Sequence, residues 1–307
     1  MLRRVASRKA HPAPGLIVDR PLPAPGVDMI SPFLMIDHFG PTPIAAGSSG
    51  GLNPHPHRGF ETVTLLFEGV MEHQDSAGHR GLIQPDGVQW MTAGSGVLHA
   101  EYHEAEFARR GGQLHGIQLW VNLPPQHKMT TPGYQDLSPE RLTCIDAEAG
   151  VRLWLIAGEA FGQHGPARTH SPMLVARACL QPGARLALPL PAGWNALAYC
   201  IKSGIQGGIQ GGVFTAGAEQ DGQGNAPALL PARNMAQFAD DGEGIVLRAA
   251  SDSATYSDTQ VLILAGAPVE GPVVSWGPFV MGSREEILQA QQDYLAGRMG
   301  RLGGVPF

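Results

Sequence analysis

Charge is scarce in this chain: 16% of its 307 residues are Asp, Glu, Lys or Arg, the net charge is −6, and the sequence pI is near 6.0. That balance lacks the basic excess needed to grip a phosphate backbone, so nucleic acid is not expected as a direct ligand. No stretch approaches the roughly 18 apolar residues of a spanning helix, and no apolar run of signal-peptide length follows Arg3 and Arg4. The expectation is a soluble, cytoplasmic protein with no membrane partner. Cysteine is limited to Cys144, Cys179 and Cys200, an odd number without C-x-x-C spacing. A disulfide framework is therefore excluded, and buried, inert thiols in a reducing compartment are expected. Histidine is absent after His170, which confines any imidazole-based metal chemistry to the first part of the chain.

Glycine (41) and proline (26) are plentiful, and they suit many short strands joined by tight turns better than long amphipathic helices. The length suggests two cores. From residue 32 to about 123, β-like runs alternate with turn signals, as in Glu61-Thr62-Val63-Thr64-Leu65-Leu66-Phe67 before Glu68-Gly69 and Val88-Gln89-Trp90-Met91-Thr92 before Ala93-Gly94. A polar, Pro-punctuated crossing then leads to further strands at 151–158, 173–178 and 261–264. The reading is an all-β chain of two tandem barrels, residues 1–135 with a metal site and residues 136–307 without metal ligands. The segment 204–212, a near-duplication of Gly-Ile-Gln-Gly, reads as a flexible or hairpin segment because no helix follows it to cradle a phosphate. One helix is expected at 283–296, where Ser283-Arg284-Glu285-Glu286 has capping-box spacing, apolar residues follow at Ile287, Leu288, Tyr294 and Leu295, and Gly297 stops it.

Two short alternations carry the chemistry. In a strand, residues two apart share a face, so His55-Pro56-His57 and His99-Ala100-Glu101 each aim two side chains at one point. Three imidazoles and a carboxylate suit a divalent first-row metal, and iron with open positions is the usual occupant of His-plus-carboxylate sites. Glu61 and His103 have the same parity within their segments, so parity alone does not choose between Glu101 and Glu61 as the carboxylate; as a non-ligand, Glu61 would instead orient an imidazole. Phe60, Trp90, Met91 and Leu98 are expected to wall the pocket. Arg58 is placed either to attract an anionic substrate or to serve as a surface or strand-pairing arginine. His38, His73, His79, His115 and His127 lack such partners and are expected to be solvated or hydrogen-bonded.

The segments His55-Pro56-His57-Arg58-Gly59-Phe60-Glu61-Thr62-Val63 and Gln89-Trp90-Met91-Thr92-Ala93-Gly94-Ser95-Gly96-Val97-Leu98-His99-Ala100-Glu101 closely resemble the pirins, a branch of the cupin superfamily. Supporting matches are Pro32-Phe33-Leu34-Met35-Ile36-Asp37-His38-Phe39, Gln118-Leu119-Trp120-Val121-Asn122-Leu123-Pro124 and Gly277-Pro278-Phe279-Val280-Met281. The resemblance implies a bicupin whose N-terminal barrel holds one Fe(II), with His55, His57, His99 and Glu101 as ligands; other divalent first-row metals would also fit such a site. It favours Glu101 over Glu61. It further implies a dioxygenase of the quercetin 2,3-dioxygenase type on a flavonol or other phenolic substrate, with Glu101 doubling as catalytic base. The alternative it implies is an iron-dependent redox-sensing regulator that binds a partner protein without turnover.

Overall fold

The computed structural model describes residues 3–13, 15–202, 212–215, 229–249 and 258–302; most of the glycine-rich segment at 204–212 lies outside them. Short strands dominate, and the expected pair of barrels is present. The chain divides into two compact units, one of Met1–Arg8, Pro21–Ser31 and Arg141–Pro268, the other of Lys9–Arg20, Pro32–Glu140 and Val269–Phe307.

Among the described residues, each unit has one seven-stranded and one four-stranded antiparallel sheet, with a two-stranded pair beside them. In the histidine-bearing unit the larger sheet runs in the order Gly133–Leu137, Val88–Thr92, Phe60–Glu68, Gly112–Asn122, Phe33–Ile44, Leu16–Leu22, Arg8–Ala13. Its smaller sheet is Gly51–His57, Val97–His103, Met71–Asp75, Arg80–Ile83. In the other unit the smaller sheet is Arg185–Pro189, Gly244–Ala249, Gly212–Thr215, Leu229–Pro231, which repeats the same strand order. Between its sheets lies one continuous apolar core that includes Leu153, Leu155, Leu174, Leu186, Leu188, Ile245, Leu247 and Ile263. Alternation explains it, since Ile245, Leu247 and Ala249 are buried while Gly244 and Arg248 are exposed.

The C-terminal helix forms over Arg284–Leu295. The Ser283 side chain accepts from the Glu286 amide and the Glu286 carboxylate accepts from the Ser283 amide, the reciprocal bonds of a capping box. Gly297 ends it at φ +72°, a conformation that costs glycine little. The helix buries Ile287 and Ala290 against Phe279, Met281 and Met299, whereas Leu288 and Leu295 face solvent.

The single cut at residue 135 does not describe how the chain packs. After leaving the second unit the chain returns, and residues from Val269 onward join the histidine-bearing one, helix included. The reason is a seam of specific bonds. The Arg58 amide donates to the Pro278 carbonyl, the Val280 amide donates to the Arg58 carbonyl, and the buried Arg58 guanidinium pairs with Asp293 of the helix at 2.7 Å. Lys128, also buried, donates to the carbonyls of Gly59 and Val280 and to Asn122 Oδ1, at 2.8 to 3.0 Å. Burial lowers the Lys128 ammonium to a pKa of about 8, partly offset by Glu286. Three acceptors satisfy its three protons, which makes it a clamp.

Candidate metal centre

The strand Gly51–His57 pairs antiparallel with Val97–His103, setting His55 opposite His99 and His57 opposite Val97. Between His55 and Leu52 the register slips against His99 and Glu101, a bulge at Asn53 and Pro54. Proline suits that position because it has no ladder proton to give. The Asn53 carbonyl turns toward His55 Nδ1 at 2.7 Å, and a carbonyl can only accept. His55 therefore carries its proton on Nδ1 and its lone pair on Nε2.

His55, His57 and His99 each offer a ring nitrogen, and these nitrogens lie within 4.8 Å of one another. His57 and His99 are buried, with ring centroids 4.8 Å apart. Burial, reinforced by the neighbouring His55, holds the His57 pKa well below its ordinary value; burial together with His55, His57 and His73 does the same for His99. Both rings are thus neutral near pH 7. His57 Nδ1 and His99 Nε2 are buried without a hydrogen-bond partner among the described residues. Three imidazoles with a ring nitrogen each so close together, two of them buried and neutral, are costly unless something binds them, and a divalent cation is the group whose chemistry fits.

Glu101 shares the face of His99 but is not part of the tight three-nitrogen group. It is 1% exposed, and its two oxygens accept from Thr64 Oγ1 and Gln118 Nε2, each at 3.3 Å. Beside it opens a cavity of about 460 Å³ lined by Glu101, Thr64, Gln118, Asp37 and His103 among polar groups, and by Leu16, Val18, Phe39, Leu52, Met71 and Leu114 among apolar ones. That volume lies within the roughly 300–1,000 Å³ common for small-molecule sites. Asp37 is neutralised there by a bidentate bond from Arg20 at 2.5 Å.

Glu61 is placed elsewhere. The parity counted from His57 breaks at Gly59, whose φ of +85° turns the chain from the four-stranded sheet into the seven-stranded one. A Cβ at Gly59 would lie 2.0 Å from the Val280 carbonyl oxygen, so the corner demands glycine. After the corner it is Thr64 that reaches Glu101, and Glu61 therefore faces the opposite side of its sheet. There it accepts from Thr92 Oγ1 at 2.6 Å, and burial raises its pKa to about 7 against the Thr92 and Trp90 contacts. Its role as an orienting acceptor for a ligand imidazole is thus also removed.

The expected pocket walls divide likewise. Phe60 and Trp120 set their ring edges on His57 at 5.0 and 5.4 Å between centroids. Trp90 lies on the Glu61 side, and Leu98 packs on the C-terminal helix cluster. Arg58 is occupied by Asp293 and by the Ser95 carbonyl at 2.7 Å, which leaves it no part in drawing in a substrate.

Near the site, His73, expected to be solvated or hydrogen-bonded, proves to be hydrogen-bonded to a candidate ligand, and Asp75 was not singled out by the sequence. His73 is fully buried with Nδ1 3.4 Å from His99 Nδ1, and Asp75 follows two positions later on the same face. Burial pushes the Asp75 carboxyl up, but His73 and the amide and ring of His79 outweigh it and hold its pKa below the usual range. The signal that would have found them is the period-2 spacing itself, His73-Gln74-Asp75, the pattern that marked His55 and His57.

Comparison with known proteins identifies the family of the chain. The family model described as Pirin matches residues 15–121, and that described as Pirin C-terminal cupin domain matches residues 175–300. A Pseudomonas aeruginosa protein provisionally named a quercetin 2,3-dioxygenase is 40% identical over 275 residues, covering 89% of this chain and 87% of its own. Pirin of Homo sapiens is 36% identical over 297 residues, covering 96% and 92%. The crystal structure of quercetin 2,3-dioxygenase from Acinetobacter baumannii superposes with a TM-score of 0.84 at 33% identity, over 98% of both chains.

Proposed function

This chain belongs to the pirin family, and we propose that it is a metal-dependent dioxygenase of the quercetin 2,3-dioxygenase type, acting on a flavonol or related phenol. One observation carries the reading. Three imidazoles converge, two of them held neutral by burial, and Glu101 on the same strand as His99 presents its buried carboxylate to a largely apolar cavity. We assign His55, His57, His99 and Glu101 as the residues that hold the metal, Fe(II) by preference. When bound, such an ion supplies a Lewis acid and a template on which a phenolate and dioxygen meet.

The chain's own groups do the rest. The apolar walls, Val18, Phe39, Leu52, Met71 and Leu114, accept a flat aromatic skeleton and exclude water from it. Glu101 takes the proton of the substrate hydroxyl at its carboxylate, while Thr64 and Gln118, each donating one hydrogen bond, keep that carboxylate aimed. Asp37 does not compete as a base because Arg20 neutralises it. Phe60 and Trp120 shield His57 from the aqueous side.

The test is dioxygen uptake and carbon monoxide release with a flavonol after anaerobic loading with Fe(II). Turnover that disappears in His57→Ala and in Glu101→Gln supports the enzyme. Stable iron binding without turnover would refute it in favour of a redox-sensing regulator that binds a partner protein.

A further inference from the structure

Two imidazole nitrogens that face each other at 3.4 Å need one donor and one acceptor, and the surroundings of His73 decide which is which. His73 Nε2 is buried with no hydrogen-bond partner among the described residues, and it lies 3.8 Å from Asp75 Oδ2. That carboxylate is held as an acceptor from three other directions. Its Oδ1 takes the amides of Ala77 at 2.9 Å and His79 at 3.0 Å, and its Oδ2 takes His79 Nδ1 at 2.8 Å. A nitrogen facing a fixed carboxylate carries the proton, so His73 is the Nε2–H tautomer and its Nδ1 is the acceptor. The donor opposite is then His99 Nδ1–H, which leaves the lone pair of His99 on its orphaned, buried Nε2.

We infer that His73 and Asp75 are positioning residues of the metal centre: Asp75 fixes the tautomer of His73, and His73 fixes His99 as a ligand through Nε2. The inference rests on the metal-site reading above and adds the bonding direction of one ligand and the residues that impose it. The placement is built into the sheet, because Met71–Asp75 pairs with Val97–His103 so that His73 opposes Glu101 and Asp75 opposes His99. The Tyr134 ring stacks on His73 at 5.0 Å and 22° and on His79 at 5.9 Å and 17°, and its hydroxyl accepts from Gln89 Nε2 at 2.8 Å. His73 is thereby held face and edge. His55 reaches the same end by a different route, its Nδ1 being fixed by the Asn53 carbonyl. An anion acting through an imidazole raises the basicity of the ligating nitrogen, which strengthens its bond to a cation.

The experiment is ring-nitrogen NMR of the full chain, labelled with nitrogen-15 histidine and loaded with Zn(II), alongside zinc affinity measured against a chromophoric chelator. The expected spectrum has His99 protonated on Nδ1 with Nε2 bound to zinc, and His73 protonated on Nε2. Asp75→Asn and His73→Leu should bind zinc roughly ten- to hundred-fold more weakly, while His73→Gln, which keeps an acceptor, should recover most of the loss. Zinc bound with His99 coordinating through Nδ1, or unchanged affinity in both Asp75→Asn and His73→Leu, would overturn this inference while leaving the metal site standing. Failure of the wild-type chain to take up zinc at all would overturn both. Should His73→Leu fail to fold, the wild-type spectrum still decides.

Discussion

The two four-stranded sheets have the same strand order, yet their inner faces carry opposite chemistry. In one, His55 opposes His99 and Glu101 opposes His73; in the other, the corresponding pair of strands sets Leu186 opposite Leu247 and Leu188 opposite Ile245. The second set belongs to a single apolar core, whereas the first puts imidazoles and a carboxylate at the matching positions, with apolar clusters such as Val18, Phe39, Leu66, Met71 and Ile83 elsewhere in the same unit. One architecture thus supports either a packed interior or a site. A barrel that lines its middle with imidazoles and carboxylates gives up apolar burial there, and its other buried charges are kept paired, Arg58 by Asp293 and Lys128 by three acceptors.

That contrast can be broken from the packed side first. Leu188→His places a lone imidazole in the second unit's core, where no polar partner waits. It should cost on the order of 4–6 kcal/mol in denaturant unfolding, as lost burial plus an unsatisfied buried group. A cost below about 1 kcal/mol would show that this interior tolerates histidine as well as the other does. On the functional side, Asp293→Ala leaves the buried Arg58 guanidinium unpaired. We expect a loss of about 3 kcal/mol, read from chemical denaturation. An effect near zero would remove the clamp from the account.

Glu61 sharpens the comparison by pH. Its folded pKa of about 7 lies above its ordinary value of 4.5, so the folded state holds a proton that the unfolded state has released. Stability is full below about pH 4.5 and falls as pH rises through 7. Glu61→Gln should abolish that fall and be more stable than wild type at pH 8.5 by on the order of 2–3 kcal/mol. Parallel pH profiles for the two proteins would contradict the placement of Glu61 on the dry side of its sheet. The smallest effect is expected at the helix cap, where Ser283→Ala removes one arm of the capping box at about 1 kcal/mol. Thermal unfolding with a correspondingly small drop in midpoint would agree, and a collapse of the whole unit would not.

What the sequence made legible was local and periodic. The two alternations, His55-Pro56-His57 and His99-Ala100-Glu101, lie on paired strands, so a period-2 count brought three of the four candidate ligands into one group. The Ser283 cap and Gly297 stop bounded the helix because both are backbone chemistry. The facing of Glu61 was misread because periodicity survives only within one strand, and Gly59 turns the chain into another sheet two residues before Glu61. The return of the C-terminal helix to the first unit depends on Arg58 meeting Asp293, a pairing across 235 positions that no local pattern encodes. His73 was set aside as partnerless because its partner lies on the neighbouring strand, where pairing register rather than spacing brings them together.

The central claim is that the first barrel's three histidines, with Glu101, hold a metal ion. Elemental analysis of the chain reconstituted with Fe(II) under anaerobic conditions, beside His57→Ala and His99→Ala proteins of verified fold, tests it most directly. The account predicts one ion per wild-type chain and none retained in either variant after desalting. Iron retained in both variants, or none bound by the wild type, would contradict it.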